Sequence, residues 1–188
     1  MKRLGNRVDK VLGELEKLPA EVKIIAIDGR CASGKSTLAE QLAMLTGAGV
    51  IHMDDFFLPK ELRTEERLTE PGGNVHYERF AEEVLPFIKS GKAFSYRCFD
   101  CSRMDLGEER KIPSGSIRIV EGAYSCHPKL GNYMDIKVFC DVSEQEQKSR
   151  IRKRNGETAL SAFLNKWIPM EERYLKAYAV REKADIII

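Results

Sequence analysis

Nine residues carry the strongest chemical signal in this chain. They are Gly29, Arg30, Cys31, Ala32, Ser33, Gly34, Lys35, Ser36 and Thr37, directly behind the apolar run Ile24-Ile25-Ala26-Ile27-Asp28. The pattern G-x-x-x-x-G-K-S between a strand and a helix is the phosphate-cradling P-loop. Gly29 and Gly34 can adopt backbone angles that a Cβ forbids, so successive N–H groups can turn toward one anion. The helix that follows aims its unpaired N–H groups and positive dipole end at the same point. Lys35 adds a mobile charge for the β- and γ-phosphates, and the Ser36 hydroxyl is a hard oxygen suited to Mg²⁺. The expected ligand is a nucleoside triphosphate with magnesium.

A second group of residues is acidic. Asp28-Gly29, Asp54-Asp55 and Glu121-Gly122 each follow an apolar strand-like run. In open parallel sheets, ligands gather at the carboxyl ends of the strands. Phosphoryl transfer to an alcohol needs one acid for the hydroxyl proton and another for Mg²⁺. Phe56-Phe57 behind the aspartate pair implies a turn held against apolar surface rather than a solvated one. A third group is basic: five of the seven residues from Lys148 to Arg154 are cationic. Guanidinium groups suit the equatorial oxygens of a transferring phosphoryl group.

These residues need a frame. Leu4, Val8, Val11, Leu12, Leu15 and Leu18 share one helical face before Pro19. Strands are expected at 22–28, 49–52, 94–98, 117–120, 136–141 and 184–188, with helices after the P-loop, over 77–90, from Ser143 to about 154, and over 158–181. Ser143 with Glu146 forms a capping box, and Pro86 and Pro169 are expected to kink their helices. Residues 58–76 read as a polar, mobile loop, and an irregular stretch is expected to reach Pro113 and Gly115. Strands alternating with helices predict an α/β, three-layer P-loop NTPase fold: a mostly parallel sheet, helices on both faces and a small lid. Residues 1–20 are expected to form an amphipathic helix packed on a single domain of 21–188.

Composition narrows the class. The chain has 188 residues, 43% hydrophobic and 32% charged, which suits one globular domain. Net charge is +2, too small to argue for a nucleic-acid partner. No apolar run approaches a membrane span, and the first ten residues lack the apolar core of a secretory signal. Five scattered cysteines, one inside the phosphate loop, read as reduced thiols in a cytoplasm. Cys98 and Cys101 are incidental rather than a zinc pair. His52 and His127 read as satisfied strand-end or loop histidines, and Trp167 with Phe163 and Tyr174 as a packing cluster. Asn165-Lys166-Trp167-Ile168 lacks the acid that guanine recognition needs, which speaks against a GTPase switch.

In order and spacing, Gly29–Ser36, His52-Met53-Asp54-Asp55-Phe56-Phe57-Leu58-Pro59 and Val120-Glu121-Gly122 resemble the uridine kinase group of P-loop kinases. That wider set includes nicotinamide riboside kinases and bacterial pantothenate kinases. The resemblance covers about residues 22–188 and implies ATP- and Mg²⁺-dependent phosphorylation of a small-molecule hydroxyl. Nucleosides are the first expectation, nicotinamide riboside the second and pantothenate the third. It implies that Asp54 is the catalytic base and that Glu121, with Ser36 and Asp54, organises Mg²⁺. Asn74-Val75-His76-Tyr77 is similar to the family's ribose-holding segment, with its aspartate replaced. Tyr96-Arg97 is similar to the stretch near the acceptor's base. Acceptor contacts are thus expected from Asp55, Phe56, His76, Tyr77, Tyr96 and Arg97, within an acceptor region of 58–115. Ser149–Arg154 resembles the start of the lid, at about 150–160, with Arg150 and Arg154 on the phosphates. The expected partner is a small molecule, with no nucleic acid or membrane and a homo-oligomer allowed.

Overall fold

The computed structural model describes residues 2–188, with side chains from Arg7 onward. The place of Leu4 on the N-terminal apolar stripe lies outside the described side chains. Helix α1 (Lys2–Glu16) leads into strand β1 (Lys23–Gly29), the phosphate loop and helix α2 (Lys35–Thr46). Strand β2 (Gly49–His52) and a 3₁₀ turn (Met53–Phe56) follow, then helices α3 (Glu65–Thr69), α4 (Tyr77–Glu83) and α5 (Leu85–Ile88). Strands β3 (Phe94–Asp100), β4 (Asp105–Ile112), β5 (Ile117–Glu121) and β6 (Ile136–Cys140) come next. Helices α6 (Glu144–Ala162) and α7 (Ile168–Tyr178) and strand β7 (Ile186–Ile187) complete the chain.

Five strands form one parallel sheet in the order β2-β5-β1-β6-β7. Alternation along β1 divides the core. Ile25 and Ile27 face a cluster with Val8, Val11 and Leu15 of α1 and Leu38, Ala39 and Leu42 of α2. Ile24 and Ala26 face the opposite cluster, with Phe80 of α4, Val84, Ile88, Tyr133 and Tyr174. A strand buried on both faces, with helices above and below, is the three-layer α/β arrangement. Strand order places the ends of β1, β2 and β5 side by side, which brings residues 28, 54 and 121 to one edge. Among the described residues, no helix is long and apolar enough to cross a membrane.

The structure corrects several expectations. The stretch before Pro113 is not irregular: β4 pairs antiparallel with β3 in a separate two-stranded sheet. Residues 58–76 are not one loop, because they hold a 3₁₀ turn at Lys60–Leu62 and α3, capped by the Thr64 side chain. The helix expected over 77–90 is two helices, with Pro86 in the first turn of the second, where its missing N–H costs nothing. Near the C-terminus, α6 turns at Gly156, whose φ of 83° lies in the left-handed region. A π-turn at Phe163–Trp167 then passes into α7 ahead of Pro169.

Candidate active site

Two glycines shape the loop for different reasons. A Cβ on Gly29 would lie 2.1 Å from the Cys140 carbonyl oxygen, so this glycine lets β1 pass close to the end of β6. Gly34, with φ of 97°, turns the chain into α2. Lys35 Nζ donates to the Gly29 and Arg30 carbonyls at 2.8 and 2.9 Å. Cys31 to Thr37 line a cavity of about 720 Å³. Gly29 and Arg30 do not line it. Gly29 lies against β6, and the Arg30 side chain is drawn away to Glu172 at 2.6 Å and the Val142 carbonyl at 3.0 Å.

The three acids separate into different roles. Asp28 is fully buried and accepts the N–H groups of Gly29, Tyr124 and Cys126 and the Tyr174 hydroxyl. It ties β1 to α7 and does not line the cavity. Glu121 and Asp54 do line it. Glu121 Oε2 accepts the Ser36 hydroxyl at 3.0 Å, and its Oε1 meets His52 Nδ1 at 2.5 Å. That hydrogen bond raises the His52 pKa against the opposing effect of burial. Gly122, with φ of 129°, permits the approach: a Cβ there would sit 2.9 Å from Met53 Cβ. Asp54 is open to the cavity on one side and packed around by protein on the others. Desolvation and then the Glu121 charge raise its pKa, while Lys35 opposes them. His52 was legible only as a strand-end histidine; its partnership comes from the β2–β5 register, which pairs it with Glu121.

Helices α6 and α7 cover the loop. Arg150 and Arg154 line the cavity, whereas Arg152 pairs outward with Glu157. Arg150 donates to the Ala32 carbonyl at 3.0 Å, and Gln147 donates to the Cys31 carbonyl at 3.1 Å. Glu171 Oε2 accepts the Cys31 N–H at 2.8 Å, and burial pushes its pKa up to about 7. Trp167 and Phe163 line the cavity, while Tyr174 is buried beside Asp28 and packs on Tyr124 and His127. The expected cluster of the three is thus divided between cavity and core.

No protein-family model matches the chain. A possible uridine kinase from Bacillus stearothermophilus superposes with a TM-score of 0.76 at 19% identity, covering 99% of both chains. A candidate fructose transport system kinase from Silicibacter sp. TM1040 gives 0.69 at 22% identity, covering 98% of both. A candidate P-loop kinase of Saccharomyces cerevisiae gives 0.58 at 13% identity, again covering 98% of both. The chain shares the fold of these structures.

In this fold, the residues singled out for the acceptor stand behind the cavity wall rather than in it. Asp55 is buried and accepts the Tyr96 hydroxyl and Arg110 Nε, both at 2.8 Å. Phe56 packs among Phe80 and Tyr96 in the core. Tyr77 stacks on His127 beneath the Arg67 guanidinium. His76 precedes α4, with its N–H on the Phe56 carbonyl. Arg97 reaches across the hairpin to the Leu106 and Gly107 carbonyls. None of these six lines the cavity; the wall beyond Asp54 is made by Phe57, Arg63, Leu68, Asn74, Cys101 and Tyr124. This placement has a simple cause. In a 3₁₀ turn side chains three apart share a face, so Asp54 and Phe57 face the cavity while Asp55 and Phe56 between them face the core.

Proposed function

We propose that the protein transfers the γ-phosphoryl group of ATP to a hydroxyl of a small-molecule acceptor. The observation that carries this reading is one cavity lined by the Cys31–Thr37 loop, the Ser36–Glu121 pair and the open Asp54 carboxylate. The loop amides and the N-terminus of α2 suit the triphosphate tail. Lys35 Nζ, held on two carbonyls of the same loop, has a strongly charged alternative partner in any phosphate seated there.

Magnesium fits these residues. Ser36 Oγ and Glu121 Oε2 lie 3.0 Å apart and offer hard oxygens. Among the described residues there is no group of three or more acidic, histidine or cysteine side chains that would form a dedicated metal cage. Mg²⁺ asks for no such cage, since water and phosphate oxygens fill most of its coordination positions. Ser36 and Glu121, with Asp54 nearby, would hold it, and when bound it neutralises charge on the β- and γ-phosphate oxygens.

Asp54 takes the role of general base. Its raised pKa makes it a better proton acceptor than an ordinary surface aspartate. The acceptor oxygen bonds to the γ-phosphorus as the bridging P–O bond to ADP breaks. The hydroxyl proton goes to Asp54 and from there to solvent. Arg150 and Arg154 offset negative charge from the lid side, a unit we take as about 150–160, and the covered cavity limits hydrolysis. The acceptor region, 58–115, supplies the far wall. The test is calorimetric binding of Mg–ATP together with acceptor-dependent ADP release. A protein that binds no Mg–ATP ends this reading.

A further inference from the structure

We propose that the acceptor is a small hydroxy acid whose carboxylate is held by Arg63, resting on the kinase reading above. Arg63 lines the cavity on the Asp54 side, together with Phe57, Asn74 and Cys101. Its Nε donates to the Leu58 carbonyl at 2.8 Å. Leu58 is buried, and its own N–H donates to the Asn74 carbonyl at 3.0 Å. Leu58 therefore links the Arg63 side chain to the backbone of Asn74 in this wall. Anchoring through Nε fixes the guanidinium plane and leaves Nη1 and Nη2, the edge that accepts a carboxylate through two parallel bonds.

Neighbouring arginines are engaged differently. Arg67 binds Glu78 and two carbonyls, Arg79 binds the Asp55 and Arg97 carbonyls, Arg97 spans the hairpin, and Arg110 pairs with Asp55. Among the described residues no carboxylate lies within ion-pair distance of Arg63. A cavity-facing cation without an acid partner favours an anionic ligand, disfavours a cationic one and gains little from a neutral one. Asn74 adds a second polar group: it is buried in the same wall, and its Oδ1 has no hydrogen-bond partner. A further hydroxyl on the acceptor satisfies such an oxygen. The groups that would hold the sugar and base of a nucleoside, from His76 to Arg97, stand outside the wall. The ligand chemistry is thus a hydroxyl for Asp54, a carboxylate for Arg63 and a short polar link between them.

The experiment is an ADP-release panel of matched pairs: glycerate with glycerol, gluconate with sorbitol, pantothenate with pantothenol, and uridine as a neutral nucleoside. Acceptor binding is read in parallel by calorimetry with a non-hydrolysable ATP analogue. We expect at least one acid to exceed its neutral partner about tenfold or more in kcat/KM. Arg63→Met should lower kcat/KM for that acid about 10- to 100-fold while KM for ATP holds, with Arg63→Lys in between. Neutral members or uridine performing as well as the acids overturns the proposal. So does a panel in which no acid binds, or an Arg63→Met effect confined to KM for ATP. If Mg–ATP itself does not bind, the failure belongs to the kinase reading instead.

Discussion

Glu171, on α7, accepts the amide hydrogen of Cys31 at 2.8 Å, so a carboxylate of the covering helices holds one N–H of the phosphate loop. The two residues are 140 positions apart, and the contact runs beside Arg30–Glu172, Gln147–Cys31 and Arg150–Ala32. Loop and cover are one hydrogen-bonded unit.

On the proposed function, that contact should give nucleotide binding a pH dependence. Burial pushes Glu171 up to about 7, with Lys35 opposing and Asp28 and Asp54 reinforcing the shift. Arg150, Arg154 and Lys166 also line this part of the cavity. As pH falls through 7 the carboxylate gains a proton, loses its charge and becomes a weaker competitor for the loop. ATP should therefore bind about tenfold tighter at pH 6 than at pH 8, relative to Glu171→Gln. Calorimetry on both proteins cancels the titration of the nucleotide itself. Parallel pH profiles would contradict the assignment.

Lys35 and Asp54 should separate binding from chemistry. Lys35→Ala is expected to weaken Mg–ATP binding by about tenfold or more. Asp54→Asn is expected to lower kcat about 10²- to 10⁴-fold while the Kd for Mg–ATP stays within about threefold. Near-normal turnover in Asp54→Asn would remove it as the base.

Glu121 should set the metal requirement. In Glu121→Gln the Mg²⁺ concentration for half-maximal ADP release is expected to rise about tenfold. The His52–Glu121 pair adds a stability signature. His52 has a raised pKa in the folded chain, so its contribution is complete below the unfolded value near 6.5. It is lost as pH rises through the higher folded value. The difference in Tm between wild type and Glu121→Gln should accordingly shrink from pH 6 toward pH 9.

Two glycine variants separate close approach from helix propensity. Gly29→Ala forces a Cβ to within 2.1 Å of the Cys140 carbonyl and is expected to cost about 2–4 kcal/mol in denaturant unfolding. Gly13, inside α1, has nothing within 4 Å of an added Cβ. Gly13→Ala should stabilise by about 0.5–1 kcal/mol.

What could be read before any coordinates was local or periodic. The phosphate loop is contiguous, and its glycines, lysine and serine act through backbone and side chains within eight residues. Ends of apolar runs marked residues 54 and 121, and a parallel sheet necessarily collects strand ends on one edge. The two-faced burial of β1 and the amphipathic stripe of α1 followed from spacing alone.

Everything that depends on which way a side chain points across the fold came from the tertiary structure. Asp28 looked like an equal of Asp54 but is enclosed by four donors, three of them from the distant 124–126 and 174 positions. Asp55 and Tyr96 form a buried pair behind the wall, joined by the partly exposed Arg110, because the β3–β4 hairpin packs on the 3₁₀ turn. Arg63 and Glu171 carried no motif at all. Arg63 is held locally, by the Leu58 carbonyl five positions back, whereas the place of Glu171 is set by Cys31, a contact that exists only once the chain has closed a 140-residue loop. Sequence spacing encodes the period of an element, whereas the partner of a side chain is chosen by packing between elements.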